Sequence, residues 1–258
     1  MKIVSFNLHG VRNDRDGHNL QQRIERLDQI LPTKKADLYF FQECIKGMFD
    51  AMYDTFKSEY TVYNSYMGEL MDTTVLWNRK KYECQKTGYF WLSDTPQEYS
   101  RSWDNFRRYC NYVTLKERSS GKCFTCVSVH VGKGEECTQK SVECICNYVK
   151  DITGYPTIIA GTFNFLPAAL AYKIMCENYI DVNAVTAKYK GVTYHKFEPH
   201  LCESDHVDYV FVSNKIKPLS YRLIDDCYPQ IKGKYPTKYK QRYPSDHYGI
   251  ECEIEVLV

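Results

Sequence analysis

Polar residues that can bind a cation or move a proton recur at the ends of apolar, strand-like segments. They stand in the runs SFNLH at 5–9, FFQE at 40–43, SVH at 128–130, IIAGTFN at 158–164, VDY at 207–209 and YPSDH at 243–247. A strand packed in a sheet delivers its last residues to the rim, where a ligand can reach them. Each run alone has an ordinary explanation, because Asn and Asp form turns and a lone Glu or His is commonly solvated or hydrogen-bonded. Their order along the chain therefore decides whether they form a site.

The segments that must position these residues are rich in aromatic and β-branched side chains, which favour strands. We predict strands at 2–7, 37–42, 74–78, 82–90, 112–116, 123–130, 157–160, 207–212, 220–224 and 250–256. Apolar residues at three-to-four spacing predict helices at 20–31, 142–152 and 170–175, with a further amphipathic stretch at 48–56. Because strands outnumber the helices that interrupt them, we expect an α/β sandwich: two packed sheets with helices on their outer faces.

Length and composition favour one folded unit. A chain of 258 residues, 43% hydrophobic and 26% charged, is near the upper limit for one hydrophobic core and typical of a globular protein. No repeat, low-complexity tract or long linker divides it, so we predict a single domain over 1–258. The net charge of +2 excludes attraction to nucleic acid or anionic membrane by bulk charge.

The sequence carries no recognisable membrane or secretion signal. Its longest apolar stretches, at 156–160 and 207–212, are far shorter than the roughly 18 residues of a membrane helix. Met1 and Lys2 run directly into a strand, so we expect a cytoplasmic protein, secreted only if a leader was removed. We also expect a monomer. The twelve cysteines are then expected to be reduced and buried. The spacings C-x-x-C at 123–126 and C-x-C at 144–146 do not converge on one zinc ion.

Taken in order, the runs FNLHG, FFQE, SVH, IIAGTFN, VDYVFVS and YPSDH resemble the endonuclease/exonuclease/phosphatase superfamily, which includes DNase I and the AP endonucleases. The resemblance extends from Ser5 to His247. The further motifs FWLSDTP, SWD, RYC and GVTYH are similar to a bacterial-type subgroup of metal-dependent hydrolases. The resemblance implies the DNase I-like fold, a four-layer α/β sandwich.

The resemblance also implies hydrolysis of a phosphodiester or phosphomonoester with the help of a divalent cation. Glu43 and Asn7, with Asp246 as a third candidate, are hard oxygen ligands suited to Mg²⁺ or Mn²⁺. His247 matches the histidine that binds the scissile phosphate, and Asp208 matches the carboxylate that orients its imidazole. These five residues are the expected centre of the site.

Further matches lie on the phosphate side. His130 matches a second phosphate-side histidine or general acid, and Asn164 matches an asparagine that contacts the phosphate. Arg108 stands where a phosphate-clamping arginine is common, with Arg107 as the alternative and a solvated arginine as the ordinary explanation. These residues are expected to surround the phosphate.

Two positions near His130 are less well defined. Its orienting carboxylate should lie just upstream of the strand at 74–78, where Glu69 and Asp72 both qualify, and we favour Glu69. After His130 the subgroup has an aspartate two residues later, whereas this chain reads VGKG at 131–134. Lys133 in this basic loop either meets a phosphate or is solvated, and a solvated lysine is the more common case.

The main departure from the family is Thr162. The family motif Gly-Asp-x-Asn reads Gly-Thr-Phe-Asn at 161–164, so the aspartate that deprotonates or aligns the attacking water is missing. A threonine hydroxyl can hold a water but cannot accept a proton near neutral pH as a carboxylate does. Loss of general-base assistance costs about 10²- to 10⁴-fold in rate.

Thr162 leaves three interpretations open. The chain is a catalytically silent protein that binds nucleic acid or a phosphorylated ligand, an attenuated enzyme in which Asp205 or His206 replaces the base, or a chain with an introduced substitution. Retention of the other site residues argues for metal and phosphoester binding. We favour turnover over silence.

A nucleic-acid contact is predicted next to the last motif. Residues 232–243 interleave cations with tyrosines, and bases can stack on tyrosines while cations follow phosphates. The residues are Lys232, Lys234, Tyr235, Lys238, Tyr239, Lys240, Arg242 and Tyr243. The ordinary alternative is an exposed, solvated basic loop.

Overall fold

Two six-stranded β-sheets form the centre of the molecule in a computed structural model, which describes residues 1–10, 19–65, 72–202, 205–229 and 241–257. In chain order the elements are β1 (Lys2–Asn7), α1 (Leu20–Lys34), β2 (Leu38–Gln42), α2 (Lys46–Phe56), β3 (Tyr60–Tyr63), β4 (Thr74–Asn78), β5 (Tyr82–Trp91), β6 (Tyr109–Glu117), β7 (Cys123–His130), α3 (Glu135–Ile152), β8 (Thr157–Thr162), α4 (Leu170–Asn178), β9 (Ile180–Asp181), α5 (Val182–Val185), β10 (Asp208–Val212), β11 (Ile216–Ile224), β12 (Tyr228–Pro229), β13 (Gln241–Arg242) and β14 (Gly249–Val256).

Strand order places the parallel pairs in the middle of each sheet. The first sheet has the order β11-β14-β1-β2-β4-β3, and the second has the order β5-β6-β7-β8-β10-β9. β1 and β2 are parallel, as are β7 and β8, whereas β14 and β10 run antiparallel to their neighbours β1 and β8. The central strands are buried along almost their whole length, as strands covered on both faces must be.

Three apolar clusters hold the layers together. The cluster between the sheets joins Ile3 and Phe40 of the first sheet to Val113 and Ile158 of the second. A second cluster packs α1 and α2 on the first sheet, and a third packs α3 and α4 on the second sheet. The order helix, sheet, sheet, helix confirms the predicted four-layer sandwich.

Helix ends follow from local sequence. Asn19 begins α1, and its side-chain oxygen accepts a hydrogen bond from the Gln21 backbone N–H at 2.7 Å. α3 begins after Gly134, which has a φ of 99°, and carries Glu135 and Glu136 in its first turn, where negative charge stabilises the helix. Gly134 thus allows the chain to leave β7 and enter α3 within a few residues.

The cysteine prediction holds in part. All twelve cysteines are free thiols. Six are buried, but Cys84, Cys176 and Cys227 are exposed, so the prediction of general burial is wrong for them. Burial raises the pKa of the Cys44 thiol to about 12.

Membrane insertion by a helix has no support in the described part of the chain. None of the helices described there is both long and apolar enough to cross a bilayer.

Candidate active site

The predicted site residues lie at one rim of the sandwich, where six strand ends meet. β1, β2, β7 and β8 reach this rim with their carboxyl ends, and the antiparallel strands β10 and β14 begin near it. Residues just before, at or just after these ends therefore share one cleft. They are Asn7, Glu43, His130, Thr162, Asn164, Asp208, Asp246 and His247.

A row of hydrogen bonds crosses from one sheet to the other at this rim. The Asn7 amide lies 3.3 Å from Glu43 Oε1 and donates to Thr162 Oγ1 at 3.1 Å. The Thr162 hydroxyl donates to Asp208 Oδ1 at 2.7 Å, and Asp208 Oδ2 lies 2.8 Å from His247 Nδ1. We call this arrangement the Glu43–His247 row. It links two residues, Glu43 and His247, that are 204 positions apart in the chain.

The buried end of the row is a carboxylate–imidazole pair. Burial acts to raise the pKa of Asp208, but the charge and hydrogen bond of His247 and the Thr162 hydroxyl outweigh it and lower the pKa. Burial acts to lower the pKa of His247, but the Asp208 carboxylate outweighs it and raises the pKa. Because the carboxylate can only accept, Nδ1 carries the proton that joins the pair, and Nε2 is the ring nitrogen left to meet a substrate.

Glu43 is fixed by its backbone as well as its side chain. Its φ of 52° lies in the left-handed region, and its N–H donates to Asp72 Oδ1 at 2.7 Å. The Gly10 N–H donates to Oε2 at 2.9 Å, and a Cβ at position 10 would collide with the Glu43 carbonyl and Ile45. A glycine is therefore required here for the chain to approach the carboxylate.

The His130–Asp72 pair lies on the other side of Glu43. His130 Nδ1 is 2.9 Å from both Asp72 oxygens, and Nε2 is 3.9 Å from Glu43 Oε1. Arg108 Nη1 lies 3.2 Å from both ring nitrogens of His130, and its Nε donates to Asp104 Oδ2 at 3.1 Å. Burial acts to raise the pKa of Asp72, but His130 and then Arg108 outweigh it and lower the pKa.

The carboxylate at His130 differs from the one that the sequence favours. Asp72 occupies this position, held by hydrogen bonds from the Glu43 N–H and between its own N–H and the Tyr109 hydroxyl. Glu69, the favoured candidate, lies outside the described residues. Asp72 is closer in sequence to β4, and this proximity was the available signal.

Asn164 and Asp246 lie at the rim with defined partners. Asn164 has a φ of 54° and donates from its amide to the Val131 carbonyl at 2.7 Å. Asp246 Oδ2 is 3.0 Å from His9 Nδ1, and Oδ1 is 3.9 Å from His247 Nε2. Burial opposes ionisation of Asp246, but the hydrogen bond from His9 and the charge of His247 outweigh it and lower the pKa to about 2. His9 is thus a site residue to which the sequence analysis assigned no role.

The two substitute bases for Thr162 are engaged elsewhere. The Asp205 carboxylate binds Lys196 Nζ at 2.9 Å. His206 is buried against Tyr209, with Nδ1 3.2 Å from the Gly191 carbonyl. Neither geometry directs the side chain to Thr162, so the expectation that one of them replaces the base gains no support.

Arg108 and Arg107 have different neighbours. Arg108 lies against His130, as described above, whereas the Arg107 guanidinium lies 4.7 Å from the centre of the Tyr99 ring. Of the two candidates for a phosphate clamp, Arg108 is the one at the cleft. The predicted basic loop lies mostly outside the described residues, which include only Gln241, Arg242 and Tyr243 from its end.

Tyr194 is a rim residue that the sequence analysis did not identify as functional. Its ring packs on the His247 ring at 4.6 Å, and Lys133 and Lys196 place their Nζ atoms 5.2 and 5.1 Å from its centre. Lys133 therefore has an aromatic partner beside the cleft. The neighbouring residues Lys196 and Phe197 have φ angles of 53° and 62°, a strained conformation for consecutive non-glycine residues.

The two packed sheets with their outer helices define a four-layer α/β sandwich whose rim cleft combines carboxylates, amides and imidazoles. An endonuclease/exonuclease/phosphatase family protein from Bacteroides thetaiotaomicron has a similar fold, with a TM-score of 0.89 and 22% identity over 98% of this chain and 97% of that one. A mannosyl-6-phosphatase from the same organism matches with a TM-score of 0.86 and 22% identity over 99% of both chains. D. rerio TDP2, complexed with a single-strand DNA product, matches with a TM-score of 0.74 and 16% identity over 99% and 98%.

No protein-family model and no curated protein sequence matches the chain. The structural matches show that the chain has the DNase I-like fold of the endonuclease/exonuclease/phosphatase proteins, which confirms the fold expected from the order of its motifs.

Proposed function

We propose that this protein is a divalent-metal-dependent phosphoesterase whose rate is limited by Thr162. The observation that carries the proposal is the Glu43–His247 row, which joins an oxygen ligand set to a buried imidazolium through Asn7, Thr162 and Asp208. Such a row can hold a cation at one end and a phosphate at the other.

The donor set fits a hard cation. Glu43 and Asn7 offer carboxylate and amide oxygens, and the Glu43 side chain is 29% exposed, so a hydrated ion can reach it. Among the described residues no group of three or more His, Cys, Asp or Glu side chains is arranged to hold a metal. A ligand set of one carboxylate and one amide suits Mg²⁺ or Mn²⁺, which keep several waters, and does not suit zinc. When bound, the cation neutralises phosphate oxygens and lowers the pKa of a water ligand.

The chain's own residues supply donors for a phosphate. His247 Nε2–H is the donor that its pair with Asp208 leaves available, and Arg108 adds a cation beside His130. Donors fixed before the reaction stabilise the charge that builds on phosphate oxygens without reorganisation. His130 is available as a general acid, because Asp72 holds its ring through Nδ1 and leaves Nε2 facing Glu43.

The limit on turnover follows from how Thr162 is bonded. Its one hydroxyl proton goes to Asp208, and its oxygen accepts from Asn7. These two bonds fix the hydroxyl, whose oxygen is too weak a base to take a proton from the attacking water near neutral pH. We infer that the site positions substrate and stabilises charge but lacks the base that the family's aspartate supplies.

The structural neighbours support a phosphoester substrate without selecting one. One is a mannosyl-6-phosphatase, and another was crystallised with a single-strand DNA product. Phosphomonoesters and phosphodiesters are therefore both candidate substrates for this chain.

The test is Mg²⁺-dependent release of p-nitrophenol from bis(p-nitrophenyl) phosphate and from p-nitrophenyl phosphate. We expect slow hydrolysis by the wild type, its loss in Glu43→Gln, and a gain of about 10²-fold in Thr162→Asp, because a restored base is worth 10² to 10⁴. Two carboxylates at 162 and 208 would share a proton, which raises one pKa towards neutrality.

Thr162→Asn is the matched control, because it has the size of aspartate without the base. A gain in Thr162→Asp alone supports the missing-base argument, whereas an equal gain in both variants contradicts it. If no variant hydrolyses either ester while Mn²⁺ and inorganic phosphate still raise the melting temperature, the protein is the silent binder and the proposed activity is wrong.

A further inference from the structure

A second feature of the rim carries an inference about the substrate. The segment 99–108, which we call the aromatic turn, contains three aromatic rings that each lie beside a cation. The Arg107 guanidinium is 4.7 Å from the Tyr99 ring centre, the Arg108 guanidinium is 5.6 Å from Phe106, and Lys140 Nζ is 5.9 Å from Trp103. Arg107 and Arg108 belong to the segment itself, Lys140 belongs to α3, and all three lie within the roughly 6 Å at which a cation is attracted to a ring face.

The aromatic turn is held in one shape by its own hydrogen bonds. The Ser102 N–H donates to the Phe106 carbonyl at 2.7 Å, and the Asn105 N–H donates to the Ser102 carbonyl at 2.9 Å. The Phe106 N–H donates to Asp104 Oδ1 at 3.1 Å, and Asn105 takes a φ of 63°. A ring on this turn is therefore presented without the entropy cost of ordering a loop on binding.

Two of the rings face solvent. Phe106 is 66% exposed and Tyr99 is 54% exposed, although most phenylalanine side chains are buried. Among the described residues, Arg101 donates to the Asn105 carbonyl at 2.9 Å and Arg107 lies over the Tyr99 ring, and neither has a carboxylate as its partner, so their charge remains available to an anion. The surface thus offers exposed rings and uncompensated guanidinium groups side by side.

The aromatic turn is continuous with the candidate active site. Arg108, which lies beside Phe106, also contacts His130 and is anchored by Asp104. A Cβ at Gly132 would collide with the Asp104 carboxylate, so the loop that follows β7 packs directly against the turn. A polymer whose phosphate reaches His130 would therefore run over Phe106.

We propose that the aromatic turn binds a single strand of nucleic acid, with bases stacked on Phe106 and Tyr99 and phosphates beside Arg107 and Arg101. Stacked rings between cations are the features by which proteins hold single strands without reading their sequence. The proposal rests on the proposed function where it brings one phosphodiester of the strand to His130. A duplex would keep its bases paired and away from the rings.

The test measures binding in EDTA, where no hydrolysis is expected, by fluorescence anisotropy of a labelled ten-nucleotide thymidine strand and the corresponding uridine strand. We expect the Kd to rise by about 5- to 150-fold in Phe106→Ala and in Tyr99→Ala, the range that corresponds to loss of one stacked base. Phe106→Tyr keeps the ring and should bind as the wild type does. Phe106→Leu keeps the apolar bulk and should bind as Phe106→Ala does.

Tyr155→Ala is the matched control, because Tyr155 is 52% exposed in the turn between α3 and β8. Its Kd should not change. Arg107→Gln should lower the slope of log K against log salt by about 0.7, the value for one phosphate contact with a single strand.

The outcomes distinguish this inference from the proposed function. Hydrolysis of bis(p-nitrophenyl) phosphate with no measurable strand binding overturns the inference and leaves the function standing. Strand binding that depends on Phe106, with no hydrolysis in any metal, supports the inference and overturns the function. Equal losses of affinity in Phe106→Ala and Tyr155→Ala, or tighter binding of duplex than of single strand, also overturn the inference.

Discussion

The His247–Asp208 pair and the His130–Asp72 pair have the same chemistry but different surroundings. His247 and Asp208 are both buried, and Thr162 connects them to the Glu43–His247 row. Asp72 takes a hydrogen bond from the backbone of Glu43, and its histidine has Arg108 as a second charged neighbour. Asp208 is the carboxylate hydrogen-bonded to His247, and Asp246 lies farther away at 3.9 Å, whereas His130 has both Asp72 and Arg108 within 3.2 Å. We therefore expect the first pair to tolerate substitution less well.

The largest effect is expected from Asp208→Asn compared with Asp72→Asn. Asparagine at 208 removes the hydrogen-bonded charge that raises the pKa of His247, so kcat/KM should fall on the order of 10³-fold, within the range of lost acid–base assistance. Asparagine at 72 leaves Arg108 in place beside His130, and a loss of about 10- to 100-fold is expected, as for other residues that orient an imidazole. Steady-state hydrolysis by both variants checks the comparison, and equal losses would contradict the proposed difference.

A smaller effect on the second pair is expected from Arg108→Lys. Lysine keeps the charge but cannot contact Asp104 and His130 together through a planar fork. We expect KM for bis(p-nitrophenyl) phosphate to rise about tenfold with a smaller change in kcat. Arg107→Lys is the matched control in the same turn, and its KM for this small ester should stay within twofold of the wild type.

Stability tests the row without any substrate. Thr162→Val keeps the shape of the side chain but leaves Asp208 Oδ1 and the Asn7 amide short of one partner each, so a loss of about 1–3 kcal/mol is expected. Thr114→Val is a suitable control, because its partner Thr125 also bonds to Thr153 and stays satisfied. Urea unfolding of the two variants gives the difference, and a smaller loss at 162 than at 114 would show that the row contributes little to the fold.

The smallest effect concerns His206, which lies outside both pairs. Burial lowers its pKa, and the hydrogen bond to the Gly191 carbonyl only partly opposes this shift. Below the unfolded pKa of about 6.5 the unfolded chain binds a proton that the folded chain takes up only at lower pH, so stability must fall as pH falls through this window. The free energy of unfolding should drop less between pH 7 and pH 5 in His206→Gln than in the wild type. Identical slopes would mean that His206 is protonated in the fold as readily as in solution.

Much of the fold could be predicted because the periodicity of the apolar residues and the composition of each segment match the helix or strand that the segment forms. The strands at 2–7, 74–78 and 123–130 have the predicted bounds, and the four predicted helices are all present. β3 was missed, although its sequence YTVY is typical of a strand, because it is only four residues long and follows α2 closely. β6 begins three residues earlier than predicted, since Tyr109 pairs with Trp91 of β5, a contact between distant residues that no local pattern reveals.

The sequence predicts which residues lie at the rim but not which hydrogen bonds they form. Polar residues that follow apolar strands can be recognised in the sequence, whereas the hydrogen bond from Thr162 to Asp208 depends on how β8 and β10 align. Asp205 and His206 are close to Asp208 in sequence, but the strand begins after them, and their side chains meet Lys196 and Gly191 instead. The choice between Glu69 and Asp72 likewise depends on the position of an imidazole ring in space.

The hydrogen bond between Asn7 and Thr162 joins β1 of one sheet to β8 of the other. The width of the cleft is consequently set by the distance between the two sheets. The side chains packed between the sheets determine that distance over the whole length of the sandwich. A larger or smaller side chain at Ile3, Val113 or Ile158, deep between the layers, would change the distance between the two sheets and with it the width of the rim cleft. Evolution could thus adjust the reacting distance from the interior while leaving every polar residue of the cleft in place.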